Sequence, residues 1–406
     1  MIVLSGAALV LPDRVLSPGT LVIDDGRIAE IRSDQSTPGH ADSPFAFHGH
    51  YIVPGFIDVH VHGVEGIDTL DVRADGAVAA IADRLPRYGF TAFCPTTVAC
   101  PPDVLRRLLD EVRRAREIRS PRAARVLPAH LESNFINPEY SGAQPVACLR
   151  SPATLSRSSN VHDFTAADIL HEIDRAAPDV GIVTLAPELD GGLELVRWLT
   201  ARGHRVSLGH SAATYDQALD AIAAGARQAT HLFNRMPPLG HRAPGLAGAV
   251  LQADEVAAEI ICDGHHVHPA LVRTAIAAKR PSRVLAITDA TAVAGLPFGS
   301  RAALGGQPIT AGEAMAVLAD GTVAGSLLTM DRAFQMLVNR VGLSLVDAAT
   351  VCATTPAREL GLVGHGVIAR DAVADIVVLD PRFGVVQTYI AGQLVYARNT
   401  PPSPTV

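Results

Sequence analysis

Eight short apolar runs recur through the middle of the chain, and helical patterns separate most of them. The runs are Phe56–Val61, Phe90–Val98, Arg125–Leu131, Val180–Ala186, Arg205–Gly209, Ala229–Phe233, Ala257–Cys262 and Arg283–Thr288. Asp75–Tyr88, Pro102–Ile118, Ala166–Ala176, Leu193–Ala201, Tyr215–Ala224 and Pro269–Lys279 read as helices on their apolar spacing. The sixth-to-seventh connection, residues 234–256, is instead long and rich in Pro and Gly. Parallel strands cannot be joined by tight turns, so this alternation predicts a parallel sheet with helical crossovers. Eight such units predict an α/β fold, a (β/α)8 TIM-type barrel. An open doubly wound sheet is the alternative arrangement of the same pattern.

The two chain ends read differently. Ile2–Val10, Thr20–Ile23 and Arg27–Ile31 are strand-like, and Asp24-Asp25-Gly26 is a hairpin signal between the last two. Asp375–Leu379, Val385–Ile390 and Gln393–Val395 repeat the pattern, with Ala391-Gly392 as the turn. A chain of 406 residues exceeds what one core usually organises, about 250–300. The expected organisation is a barrel domain over residues 54–365, with a small β-sandwich domain built from residues 1–53 and 366–406. Ser151–Asn160 reads as a polar loop and Pro401–Val406 as a frayed tail.

Composition narrows the function classes. A hydrophobic fraction of 48% excludes a mainly disordered chain. A net charge of −7 argues against nucleic acid or an anionic membrane as partner. No apolar stretch approaches the ~20 residues that span a bilayer, and Met1–Leu11 lacks a basic start. Five cysteines without a CxxC pair fit reduced thiols, and the expectation is a soluble cytoplasmic protein. Lys279 is the only lysine, so any mechanism that needs a lysine must use it.

Active sites of parallel barrels lie at the C-terminal strand ends, and polar residues cluster there. His60 and His62 end the first run, and residues two apart share one strand face. Glu132 ends the third run, His210 the fifth, His231 the sixth and Asp289 the eighth. Four imidazoles and two carboxylates at equivalent places on five strands predict a site for Zn²⁺ or a similar divalent ion. Each residue alone is weak evidence; the joint pattern would need five independent polar intrusions to arise otherwise.

These segments resemble the amidohydrolase superfamily, and within it the family of N-acetylglucosamine-6-phosphate deacetylases, over nearly the whole chain. The matching stretches are Pro54–Gly63, His130-Leu131-Glu132, Leu208–Ser211, Thr230–Asn234, Pro244–Gly248, Asp263–Val267, Thr288-Asp289-Ala290 and Ala324-Gly325-Ser326. The resemblance implies a metal-dependent hydrolase that removes acetyl from N-acetyl-D-glucosamine 6-phosphate. A related substrate, such as the galacto epimer, an unphosphorylated N-acetylhexosamine or another N-acyl amine, is the alternative, and an inactive binding protein a further one. One or two divalent ions per subunit are implied, zinc first, with iron, manganese or cobalt as other choices. Glu132, His210 and His231 would hold one ion, and His60, His62 and Glu132 a second. Asp289 is the candidate general base, taking the water proton and returning it to the leaving nitrogen. Arg242, Asn234 and His266 match positions that contact phosphate and sugar, Arg242 by reaching into the neighbouring active site of a homodimer. The loop Val323–Ser326, with Ala324 and Gly325, would cradle the substrate through its backbone.

The chain also departs from the family pattern. Ser133-Asn134 follow the metal glutamate where Gly-Pro is usual, and Ala143-Gln144 stand where the family has Ala-His near the reacting amide. Gln144 can donate a hydrogen bond but cannot carry a proton or charge. Arg235 replaces an alanine and adds a cation near the expected phosphate position. His130 reads as a packed neighbour of Glu132 on the same strand face.

Overall fold

The computed structural model describes residues 1–33, 46–71, 76–118, 120–153 and 164–398; Pro401–Val406 and most of the loop Ser151–Asn160 lie outside them. Eight parallel strands make one sheet in chain order: β1 Phe56–Val61, β2 Phe90–Thr97, β3 Ala129–Glu132 and β4 Val180–Leu185 form the first half. β5 Arg205–Leu208, β6 Gln228–Ala229, β7 Ala257–Ile261 and β8 Val284–Ile287 complete it. Their runs are mostly apolar, without the polar alternation of a half-exposed strand, because both sheet faces are buried.

The seam between β1 and β8 separates the barrel from an open sheet. Val61 bridges in parallel to Ala290, just past β8. Asp289 N donates to His60 O at 3.1 Å, and His62 N to Ala290 O at 2.8 Å. Below them, Thr288 N and its hydroxyl donate to Asp58 Oδ2 at 3.0 and 2.6 Å, and His60 N donates to Asp58 Oδ1 at 3.0 Å. The seam therefore fixes His60 and Asp289 against each other.

Helices α1 Ala77–Arg84, α2 Pro102–Glu117, α3 Ala166–Arg175, α4 Gly192–Ala201, α5 Tyr215–Ala224, α6 Gly245–Gln252 and α7 Pro269–Lys279 fill the crossovers. In α2 the buried residues are Leu105, Leu108, Leu109 and Val112, one stripe at helical spacing. Capping boxes at Thr165/Asp168 and Thr214/Gln217 start α3 and α5 by satisfying the first free N–H groups. The connection that looked irregular, residues 234–256, contains α6. The run Arg125–Leu131 is split: Arg125–Val126 pairs with β2, and β3 starts at Ala129, after Pro128, which has no N–H to donate.

The chain ends form one seven-stranded sheet. Its order is Gln393–Ala397, Val385–Ile390, Ile376–Leu379, Tyr51–Pro54, Ile2–Val10, Val15–Asp24, Arg27–Ser33. Alternation sorts its faces: Ile376 and Val378 join a core with Leu4, Leu9 and Leu21, while Val377 and Leu379 join the barrel core. Both hairpin signals are two-residue turns with positive φ twice, Asp25 (45°) and Gly26 (73°), then Ala391 (47°) and Gly392 (73°), the geometry that suits strand twist.

A second small sheet follows β8: Arg301–Leu304, Gln307–Ala311, Met315–Val317 and Val323–Ser326, all antiparallel. Residues 323–326 are thus an edge strand rather than a loop, tied to the barrel by a Ser326–Ala290 bridge. Among the described residues no helix is long and apolar enough to cross a membrane.

Candidate active site

The polar strand ends converge on one point. His210 Nε2 and His231 Nε2 lie 2.8 and 2.9 Å from Glu132 Oε1, and 3.0 Å from each other. His60 Nε2 and His62 Nε2 are 3.1 Å apart, and lie 3.5 and 3.3 Å from Asp289 Oδ1. Glu132 stands between the two groups, with Oε2 3.5 Å from His62 Nε2 and Oε1 3.8 Å from His60 Nε2. The ligand atoms of Glu132, His210 and His231 could surround one cation, and those of His60, His62 and Asp289 another. The structure thus groups Asp289, rather than Glu132 alone, with the histidine pair on β1.

Hydrogen bonds behind the imidazoles decide what they present. His60 Nδ1 is 3.0 Å from Glu259 Oε2, a carboxylate in the middle of β7. His210 Nδ1 is 2.7 Å from the carbonyl of Tyr140. Both acceptors can take only an N–H, which leaves the Nε2 lone pairs facing the centre. His62 Nδ1 and His231 Nδ1 are buried without a protein partner, and the Nε2 atoms of His60/His62 and His210/His231 lie 3.1 and 3.0 Å apart, ringed by carboxylates, where one cation per pair would engage them all. The donor set therefore fits a divalent metal.

Charge tells the same story. Burial alone would lower the His60 pKa, yet Asp289, Glu259 and Glu132 push it up to about 10, so Nε2 holds a proton wherever a metal ion does not take the proton's place. Burial would raise Glu132, and His210, His231 and His60 instead hold it well below the usual carboxylate range. Asp289 is likewise held down, against its burial, by His60 and His62. Three buried acids in one place demand positive charge.

Backbone strain marks the same residues. His210, His231 and Asp289 have φ of 48°, 31° and 51°, in the left-handed region that costs a bulky side chain energy. Phe233 and Arg235 follow His231 with φ of 78° and 52°. The turn at His231 also explains why β6 stops at Ala229.

A cavity of about 500 Å³ opens above this floor. Gln144, Ala143, Asn234, Arg235, His266 and Gly325 line it with His62, Glu132, His210, His231 and Asp289. Arg242, expected to reach a neighbouring subunit's site rather than its own, is exposed on the segment before α6, and the Ala324 side chain is wholly buried under its strand. Gln144 is committed: its amide donates to Glu132 Oε2, and its oxygen accepts from Ala99 N at 2.7 Å. His266 Nδ1 is paired with Asp263 Oδ2 at 2.6 Å, and its buried Nε2 has no protein partner. Gly325 has φ 68°, and a Cβ there would meet Asp289 O at 2.8 Å, so the strand approaches the acid only as glycine.

Sequence reasoning missed Glu259, Glu188 and Tyr140. Glu188 accepts from Ser211 Oγ at 2.7 Å, Ala212 N at 2.6 Å and Asn137 Nδ2 at 2.9 Å, which braces the turn holding His210. A lone acid in the apolar run Ala257–Ile261 was the available signal for Glu259. His130 has both ring nitrogens engaged, by Val59 O at 2.8 Å and Thr184 Oγ1 at 2.7 Å, so it is spent on structure.

A family model for the amidohydrolase family matches residues 51–395. The N-acetylglucosamine-6-phosphate deacetylase of Mus musculus is 37% identical over 395 residues, covering 94% of this chain and 90% of its own. The N-acetylgalactosamine-6-phosphate deacetylase of Escherichia coli O157:H7 is 33% identical over 393 residues, covering 97% and 98%. Among solved structures, a mutant N-acetyl-D-glucosamine-6-phosphate deacetylase from Mycobacterium smegmatis, in complex with N-acetyl-D-glucosamine-6-phosphate, superposes with a TM-score of 0.86. It is 32% identical, over 97% of this chain and 99% of that one.

Proposed function

This chain belongs to the amidohydrolase family, and from that premise we propose that it deacetylates N-acetyl-D-glucosamine 6-phosphate, giving glucosamine 6-phosphate and acetate. The observation that carries the reading is the convergence of Glu132, His210 and His231, from three strands, at the floor of the cavity.

Those three side chains would hold one divalent ion, and His60, His62 and Asp289 a second, with Glu132 between them. Zinc suits imidazole and carboxylate donors best, and iron, manganese or cobalt accept the same set. A bound ion supplies Lewis acidity and makes water acidic enough to attack at neutral pH. Asp289, ionised because His60 and His62 hold its pKa down against burial, accepts the proton of the attacking water. It then returns that proton to the departing nitrogen, so the amine leaves neutral. Asn234, Arg235 and His266 offer donors to the sugar and its phosphate from the cavity wall. Ala143 and the Gly325 backbone complete that wall beside the acetyl end, while Gln144 holds Glu132 instead of the substrate. Arg242, exposed and away from its own cavity, fits a homodimer in which it enters the partner's cavity. Five buried free thiols fit a cytoplasmic setting.

The galacto epimer is a second reading, favoured by the 33% identity with the Escherichia coli relative. The test is acetate release from N-acetylhexosamines with and without a 6-phosphate, in defined metal and in chelator. Metal-dependent turnover that strongly prefers the phosphorylated gluco sugar supports the proposal. Turnover indifferent to the phosphate removes Arg235 and Asn234 from substrate recognition, and none at all leaves a binding protein.

A further inference from the structure

A line of buried polar side chains runs from the bottom of the barrel to His60. Arg205, at the start of β5, is held by Glu359 Oε2 at 2.5 Å, Glu359 O at 3.2 Å and Arg227 O at 3.0 Å. Its Nε donates to Gln228 Oε1 at 2.5 Å, which turns the Gln228 amide nitrogen towards Glu259. Gln228 Nε2 donates to Glu259 Oε1 at 2.5 Å. Glu259 Oε2 then accepts from His60 Nδ1 at 3.0 Å. Gln228, Glu259 and His60 are wholly buried, so water cannot stand in for a missing partner.

Both ends of this line are donors. Arg205 has no acceptor to offer. His60 must donate through Nδ1 if its Nε2 is to keep a lone pair. Between two donors, two linked side chains can satisfy every bond only if one of them is acceptor-only. Two amides leave one mismatch, donor facing donor, and two carboxylates leave acceptor facing acceptor. One Gln and one Glu match the count.

We infer that Glu259, oriented by Gln228 and Arg205, is a positioning residue that sets the His60 tautomer and so makes His60, His62 and Asp289 competent to hold an ion. This rests on the two-ion reading above. The neighbouring group of His60, His130 and Glu259 is no third site, because both His130 nitrogens and both Glu259 oxygens are already bonded.

Glu259→Gln keeps the volume and introduces the mismatch. His60 either loses its acceptor or turns its proton to Nε2, and both outcomes impair the same ion site. Gln228→Glu combined with Glu259→Gln reverses the inner link. Glu at position 228 then accepts from Arg205 and from the amide at 259, whose oxygen accepts from His60, so every bond is satisfied again.

The experiment measures metal per subunit and stepwise ion affinities by calorimetry on the full chain, with Zn²⁺ as the probe and melting temperature as a check on folding. The expected result is two ions for the wild type, about 10–100-fold weaker binding of one ion only in Glu259→Gln, and recovery in the double variant. A packing defect would not be repaired by a second substitution of equal volume. Unchanged two-ion binding in Glu259→Gln overturns the inference, as does failure of the double variant to recover, or a wild type that holds a single ion. A wild type that binds no metal at all overturns instead the proposed function on which it rests.

Discussion

Asp289→Asn removes the proton acceptor at constant shape, and metal content must be followed alongside because Asp289 is also one of the three candidate ligands with His60 and His62. Asparagine has the same shape, and it tolerates the left-handed backbone at this position, where φ is 51°. The main-chain bond from residue 289 N to His60 O, 3.1 Å in the native chain, is unaffected. An amide oxygen can still sit 3.3–3.5 Å from His62 and His60, where the Asp289 oxygen now lies. The amide cannot accept the proton that the carboxylate takes from water. Positioned acid–base groups contribute about 10²–10⁴ in rate, or ~2.7–5.4 kcal/mol of barrier at ~1.36 kcal/mol per tenfold. The expected result is kcat lower by that factor, with KM within about threefold, because substrate contacts lie elsewhere on the wall. The pH profile adds a check. Asp289 titrates below its ordinary value, so it stays ionised through the neutral range and loses activity only on the acid side. That part of the acid limb disappears in the variant. Acetate release over a pH series, with metal content measured on the same samples, reads all of this. A metal-loaded variant with kcat within tenfold of the wild type refutes the role of Asp289.

Arg235→Ala should raise KM for 6-phosphorylated sugars about 10–100-fold and leave unphosphorylated sugars unchanged, since Arg235 stands on the cavity wall; equal effects on both classes would contradict this. Gln144→Ala frees Glu132 Oε2 and should weaken metal binding about tenfold, read as free-ion affinity against a competing chelator. Asp375→Asn breaks a buried pair with Arg125, and also His365 at 2.9 Å, between the terminal sheet and the barrel. Breaking such a pair costs about 3–5 kcal/mol, or roughly 5 °C in Tm for a chain this long. Burial would raise the Asp375 pKa, but His365 and Arg125 hold it below its ordinary value. The wild-type advantage should thus be constant above about pH 5 and close only as the pH falls through the lowered value. A Tm gap that closes near neutral pH would rule out this pair as its source.

What the sequence revealed was what has a local signature. Strand–helix alternation gave the barrel, because parallel strands need long crossovers. His60-Val61-His62 was readable because residues two apart share a strand face, and the Asp25-Gly26 turn because it needs positive φ twice. Glu259 was hidden because its partners, Gln228 and His60, lie 31 and 199 residues away, and nothing local distinguishes it from a tolerated polar intrusion. The commitment of Gln144 to Glu132 and Ala99 was equally non-local. The small sheet over residues 301–326 escaped because its strands are three to five residues long, too short for alternation to stand out. Ala324 turned inward because the segment is a strand whose alternate residues face opposite ways.

The most direct test of the metal centre is anomalous diffraction from crystals of the zinc-loaded protein, collected on both sides of the metal edge. The expected result is a peak about 2.0–2.2 Å from Glu132 Oε1, His210 Nε2 and His231 Nε2, and a second among His60, His62 and Asp289. Zinc only on surface residues, with those side chains unligated in a fully active enzyme, would contradict it.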